Sequence, residues 1–172
     1  MILIIEGVDK NGKTTLANRL VQEYGAEYVK FGQPTKPPFQ EYSEFIASVD
    51  PSKTYVLDRF FIGELVYGPI YRGKSGITLG QLKDLERVLL DKVAETVIVY
   101  CKTNIEQVRT NFEAEHEEFA KASDIAALRK KYHDILKKQV LPVYGFDYLK
   151  DMDHSGIIGR LSKNVVSGRV AK

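Results

Sequence analysis

The chain has 172 residues, 44% hydrophobic and 28% charged, and its 25 Lys+Arg stand against 23 Asp+Glu for a net charge of +2. A chain of this length buries a core without disulfides or a structural metal; its lone Cys101 and its scattered His116, His133 and His154 offer neither a bridge nor the spacing of a zinc site. The near-neutral balance excludes bulk attraction to nucleic acid or an anionic membrane, although it is compatible with a local basic groove.

Ile2 to Ile5 is a branched apolar run of strand length, the pattern of a strand buried on both faces of a parallel sheet. It lacks the basic flank and the length of a signal peptide, and no apolar run spans a bilayer, so a cytoplasmic protein is expected. Gly7 to Gly12 breaks the run, and from Lys13 the residues Leu16, Leu20, Val21 and Tyr24 recur at helical spacing up to Gly25, a C-terminal cap. Glu27 to Phe31 reads as a second strand, followed by a proline-stiffened loop, Gly32 to Pro38, and a helix from Phe39 to Val49. Thr54 to Leu57 reads as a third strand ending at Asp58-Arg59. After it, Phe60 to Tyr67 forms a short helix and Gly68 to Gly76 a loop. Thr78 opens a helix through about Lys92, Thr96 to Cys101 is the next strand, and Asn104 caps a helix to about Glu118. Asp124 starts another helix, Phe146 to Leu149 is a short last strand, and Ser155 to about Val166 is a helical tail. Strands separated by helices imply one α/β domain over residues 1–172, a three-layer sandwich with about five parallel strands and helices on both faces.

Gly7-Val8-Asp9-Lys10-Asn11-Gly12-Lys13-Thr14 fits the spacing G-x-x-x-x-G-K-[ST] between a buried strand and a helix, the setting in which that spacing makes a phosphate loop. Glycines let successive N–H groups turn around phosphate oxygens, and the helix N-terminus adds its positive dipole end. Gly7, Asn11, Gly12, Lys13, Thr14 and Thr15 are therefore the expected contacts to ATP, with Lys13 on the β- and γ-phosphates and Thr14 on Mg²⁺. The loop by itself leaves open whether the phosphoryl group goes to water or to an acceptor.

Ile5 to Thr15 resembles the opening of thymidylate kinases, with a carboxylate, Asp9, at the third loop position, and Leu57-Asp58-Arg59-Phe60 resembles that family's Asp-Arg-aromatic motif. The resemblance covers about the first two thirds of the chain, and Gly63 to Arg72 is similar to compact bacteriophage members, which would place the protein in a host cytoplasm. It implies a P-loop nucleotide kinase that uses ATP and Mg²⁺ and forms a homodimer. It also implies that Asp9 meets the sugar 3′-hydroxyl, that Tyr67 packs beside the deoxyribose, and that Lys10 supplies a transition-state cation. The candidate lid from Thr110 to Ala120, after Arg109, contains no arginine.

The residue chemistry points the same way. A monophosphate acceptor brings its own nucleophile, so the site needs cations to join two anions more than it needs a base. Arg59 at a strand end suits that task, and Asp58 either orients Mg²⁺ and its waters or holds Arg59. Lys36 and Arg72 are loop cations that either touch acceptor phosphate or are solvated. Phe45 or Phe39 either stacks on the base or joins the core, and Glu64 stands where the family presents an amide to the base. A carboxylate only accepts hydrogen bonds, so Glu64 favours a base or substituent that offers a donor. The acidic run Glu113, Glu115, Glu117 and Glu118 reads as a solvated face. The expected acceptor is a deoxyribonucleoside monophosphate, dTMP or a modified pyrimidine. The alternatives are a hydroxyl acceptor, on a deoxynucleoside or a 5-hydroxymethyl pyrimidine in DNA with Asp58 or Glu64 as base, and a nucleotide-dependent switch protein.

Overall fold

The computed structural model describes residues 1–102, 104–114, 121–147 and 151. Five strands, β1 (Ile2–Glu6), β2 (Glu27–Lys30), β3 (Tyr55–Asp58), β4 (Thr96–Cys101) and β5 (Val143–Phe146), form one sheet in the order β2-β3-β1-β4-β5. Every pairing is parallel. The helices are α1 (Lys13–Tyr24), α2 (Pro38–Ser48), α3 (Phe61–Tyr71), α4 (Leu79–Lys92), α5 (Ile105–Ala114) and α6 (Ile125–Leu136), the last preceded by a 3-10 turn at Ala122–Asp124.

Alternation along β1 sorts the core into two layers. Leu3 and Ile5 pack with Leu16, Ala17 and Leu20 of α1 on one face, whereas Ile2 and Ile4 face α2, α3, α4 and α6 on the other. The register pairs Ile5 with Asp58 and Glu6 with Tyr100, so the C-terminal ends of β1, β3 and β4 finish level. β1 is the middle strand, with β3 on one side and β4 on the other, and the chain reverses its direction of travel across the sheet there. Open α/β sheets bind ligands at such a point, beyond the carboxyl ends of the strands. Among the described residues no helix is long and apolar enough to cross a membrane.

The structure corrects the sequence expectation in two places. The helix expected to stop at Tyr67 runs on to Tyr71 with Pro69 inside it. Gly68 permits this: a β-carbon there would lie 2.9 Å from the Lys74 carbonyl, so its absence lets the following loop fold back on α3. The Tyr71 hydroxyl donates to Asp124 at 3.0 Å and helps dock the extra turn. The last strand is Val143–Phe146, so it begins before the start expected at Phe146, while Tyr148 and Leu149 of the expected Phe146–Leu149 lie outside the described residues. Buried Glu86 on α4 accepts from the Val140 and Leu141 amides at 2.9 and 3.4 Å and sets where that strand begins. Gly145, a poor strand former, lies beneath the Lys102 side chain, which a β-carbon would meet at 2.9 Å. Expected helix beyond Ala114, most of the candidate lid and the tail helix from Ser155 fall outside the described residues.

Thr78 caps α4 in a reciprocal box, its hydroxyl accepting from the Gln81 amide while the Gln81 side chain accepts from the Thr78 N–H at 2.8 Å. Thr78→Ala removes the hydroxyl half of this box and is expected to lower unfolding free energy by about 1 kcal/mol. Urea denaturation, with the slope unchanged, measures it.

Candidate functional site

The phosphate loop begins where β1 ends. Gly7 has a φ of 142°, and a β-carbon on it would lie 2.5 Å from Asn11 Nδ2 and 2.7 Å from the Cys101 carbonyl. Only glycine fits between the loop's own side chain and the end of β4. Asn11 is buried and donates through Nδ2 to that same carbonyl, while its Oδ1 accepts no bond from the described residues. Gly12, at a φ of 82°, turns the chain into α1, whose first turn has no side-chain cap. Its opening N–H groups therefore point out of the helix as donors for an anion, with the dipole behind them. Thr14 and Thr15 are exposed on that first turn. Lys10 has a left-handed backbone, φ 59°, and its carbonyl accepts from Asn111 Nδ2 of α5 at 3.0 Å.

Lys13 is buried, and its ammonium donates to the Val8 carbonyl at 2.6 Å and lies 3.9 Å from Asp9. Burial, helped by Arg59, pulls it down to about 8, with Asp9 pulling the other way. Arg59 follows β3 in a left-handed conformation, φ 65°, which costs about 1–3 kcal/mol and persists only where the surroundings impose it. Its amide donates to the Ile5 carbonyl at 2.9 Å, and the next amide, Phe60, donates to Glu6 Oε1 at 2.9 Å. So directed, the guanidinium reaches back to Asp9 in the phosphate loop and lies over the Tyr67 ring, 4.4 Å from its centroid. The Tyr67 hydroxyl closes the cluster on Asp9 at 3.2 Å.

Beside this cluster opens a cavity of about 220 Å³. Phe31, Tyr42, Phe60 and Tyr67 line it, together with Gly63 and the ion pair of Glu64 with Arg72. Buried Glu64 uses Oε1 for both Arg72 and the Gly76 amide, which it meets at 2.7 Å; Oε2 accepts no bond from the described residues. Gly63 has no atom near the position of a β-carbon, which keeps that part of the cavity open.

Of the residues singled out from the sequence, Asp9, Arg59, Glu64, Tyr67 and Arg72 meet on the cavity wall, next to Lys13 and the loop glycines. Lys36 lies elsewhere, paired with Glu44 at 2.7 Å on the exposed start of α2. Phe45 does not line the cavity: it packs edge-on against Phe31 and Phe60, behind them. Asp58 is 2% exposed and accepts from the Tyr28 hydroxyl at 2.8 Å. The aromatic walls Phe31 and Tyr42 escaped the sequence reading. Position at a strand end marks Phe31, but nothing in the spacing of α2 separates a cavity-facing Tyr42 from a core one. Glu6 also escaped it. It is wholly buried, bonded to Phe60 and, at 2.9 Å, to the Tyr132 hydroxyl, and burial pushes its carboxyl up to about 7 against Arg59, Tyr132, Phe60 and Lys13.

Gly7→Ala drives a methyl group into Asn11 and the end of β4, so the loop must open. Nucleotide binding by calorimetry is expected to fall by about two orders of magnitude or more, with the far-ultraviolet circular dichroism retained.

No protein-family model and no curated protein matches the chain. Solved structures do. The YorR protein of Bacillus subtilis, in complex with phosphorylated GDP, superposes with a TM-score of 0.74 at 20% identity over 95% of this chain and 96% of that one. Deoxyadenosine kinase of M. mycoides, with bound dCTP, gives 0.60 at 16% identity over 95% of this chain and 100% of that one. Thymidylate kinase of Candida albicans gives 0.58 at 16% identity over 95% and 92%. The chain has the three-layer α/β fold of P-loop kinases.

Proposed function

We propose that the protein transfers the γ-phosphate of Mg-ATP to the 5′-phosphate of a deoxyribonucleoside monophosphate. The observation that carries this reading is the Arg59 guanidinium, suspended between the phosphate loop and an aromatic-lined cavity by Asp9 and Tyr67. A cation there faces a donor phosphate chain on one side and an acceptor on the other, which is what the joining of two anions requires.

Each residue has a definable part. Lys13 neutralises charge on the donor phosphates. Arg59 offers a planar pair of N–H groups to the acceptor phosphate, and the Tyr67 ring fixes the plane of that fork. When Arg59 turns to a phosphate, Asp9 is released to accept from a sugar hydroxyl. Lys10, as the family resemblance implies, supplies a further loop cation to the transferring group. The exposed Thr14 hydroxyl and the Asp58 carboxylate are hard oxygen donors of the kind magnesium takes, and they would hold it. When bound, magnesium spreads the negative charge of the transferring phosphoryl group. Among the described residues no three acidic, histidine or cysteine side chains cluster at one point, and phosphate oxygens and water would be the further ligands of such a site.

For the base, three solved relatives of the fold hold or are named for different nucleotides: phosphorylated GDP, dCTP and thymidylate. Here Glu64 Oε2 and the remaining Arg72 donors set the choice, an acceptor beside donors on the cavity wall. dTMP and uracil-type modified pyrimidine monophosphates offer N3–H to the one and a carbonyl to the other. A hydroxyl acceptor is the second reading, and it rests on the same Glu64 Oε2, a carboxylate oxygen in the cavity with its lone pairs available as a base.

ADP release from Mg-ATP is the test, with deoxynucleoside monophosphates, the matching nucleosides and hydroxymethyluracil-containing DNA as acceptors. Turnover with a monophosphate is expected; turnover only with nucleosides or DNA overturns the reading. Arg59→Ala is expected to lower kcat about 10²–10³-fold and leave ATP affinity within about twofold. A collapse of ATP affinity would assign Arg59 to the donor side. Because Lys13 sits at about 8 in the free protein, raising the pH through 8 removes its charge. ATP binding is expected to weaken between pH 8 and 10, with net proton uptake on binding when calorimetry is repeated in buffers of different ionisation enthalpy.

A further inference from the structure

Glu6 closes β1 one residue before the phosphate loop, and it is 0% exposed. It does not line the cavity, so it touches no substrate there. A carboxylate in such a place costs folding free energy, because an ion leaves water for a low-dielectric interior. An apolar side chain of similar size would pack on the same face as Ile2 and Ile4. The stability of the fold gives no reason for the charge, and its two bonds suggest another one.

Oε1 accepts from the Phe60 amide and Oε2 from the Tyr132 hydroxyl, both at 2.9 Å. The Phe60 bond falls one residue after Arg59, whose left-handed backbone is otherwise tied to β1 by its own amide on the Ile5 carbonyl. The Tyr132 bond reaches α6, and Tyr132 in turn packs edge-on to Tyr67, the ring beneath the Arg59 guanidinium. One buried carboxylate thus controls both the turn that launches Arg59 and the ring on which its guanidinium rests. Resting on the phosphotransfer reading above, we propose that Glu6 is a positioning residue for Arg59, fixing it between the phosphate loop and the acceptor cavity.

The proposal separates from a merely structural role by the sign of the stability change. Removing a structural residue loosens the fold; neutralising a charge that is buried for positioning tightens the fold and slows the reaction. Folded Glu6 holds its proton up to about 7 against an ordinary 4.5, so the advantage of the neutral form is complete below 4.5 and lost as pH rises through 7. At pH 8 the full cost of the ion is present. Among the described residues the charged and titratable groups that feel it are Arg59, Lys13 of α1, Tyr42 of α2, Tyr100 and Cys101 of β4, and Tyr132 of α6.

The experiment compares the full chain with Glu6→Gln at pH 8. Glutamine keeps an acceptor for the Phe60 amide and reverses the Tyr132 bond, but it gives up the stronger, charge-assisted acceptor. The expected result is turnover lowered about tenfold or more, the KM for ATP within about twofold, and a higher thermal unfolding midpoint. Turnover within twofold of wild type overturns the proposal, and so does a loss of turnover accompanied by a lower unfolding midpoint. Tyr132→Phe, which removes one of the two bonds, serves if Glu6→Gln does not fold; about threefold slower turnover with unchanged ATP affinity is expected, and unchanged turnover overturns the proposal. Amide hydrogen exchange keeps the test apart from the kinase reading. In the nucleotide-free protein the Phe60 and Arg59 amides are expected to exchange about tenfold faster in Glu6→Gln. Should the wild-type chain phosphorylate no acceptor, the functional reading fails, and unchanged exchange at these two amides is then what overturns the role of Glu6.

Discussion

The left-handed turn at Arg59 is the constraint around which the site is arranged. A non-glycine residue at a φ of 65° tends to relax, and here it is held by two successive amides anchored on the last two residues of β1. Those anchors exist because β1 and β3 run parallel and finish level, Ile5 beside Asp58. The same level finish puts the Cys101 carbonyl of β4 next to Gly7 and Asn11. Sheet register, a fold-level property, therefore sets the distance between the phosphate loop and its facing cation.

Charge balance follows from that geometry. Lys13 and Arg59 approach one another in a poorly solvated place, and their mutual repulsion is part of what depresses Lys13. Asp9 offsets it from the loop and Asp58 from the end of β3, while Arg59 and Lys13 in turn favour the charge on Glu6 beneath. In the free protein the arrangement holds these cations and carboxylates side by side, partly to fully buried. A polyphosphate entering the loop replaces protein carboxylate as the partner of the cations, so binding exchanges one set of charge contacts for another and does not create them in an empty space.

Most of this architecture was legible in the sequence. The apolar run at Ile2–Ile5, the glycine spacing after it and the helical period from Leu16 to Tyr24 are local signals, and each element lies where they place it. Expectation and structure part where a nonlocal contact decides. α3 continues through Gly68 and Pro69, two poor helix residues, because Gly68 accommodates the loop that returns over it and Tyr71 reaches Asp124. β5 starts early because Glu86, far away on α4, fixes its approach. Within the site, a motif reveals the residues that turn toward the loop but not the ones that hold them. Glu6 reads as the polar end of an apolar strand, and only Phe60 and Tyr132, at separations of 54 and 126 residues, show what it does.

The strand order has a further consequence, for how the chain acquires its shape. β1 lies in the middle of the sheet, yet it precedes both of its neighbours along the chain: one partner is at Tyr55–Asp58 and the other at Thr96–Cys101. During synthesis its buried apolar face waits for two later segments, and a strand with both edges open is the kind of surface that pairs with other chains. α1 follows β1 at once and covers Leu3 and Ile5. On the opposite face Ile2 and Ile4 are covered by helices that come later. The central position that suits β1 to carry the phosphate loop also leaves it without strand partners until both later segments have been made.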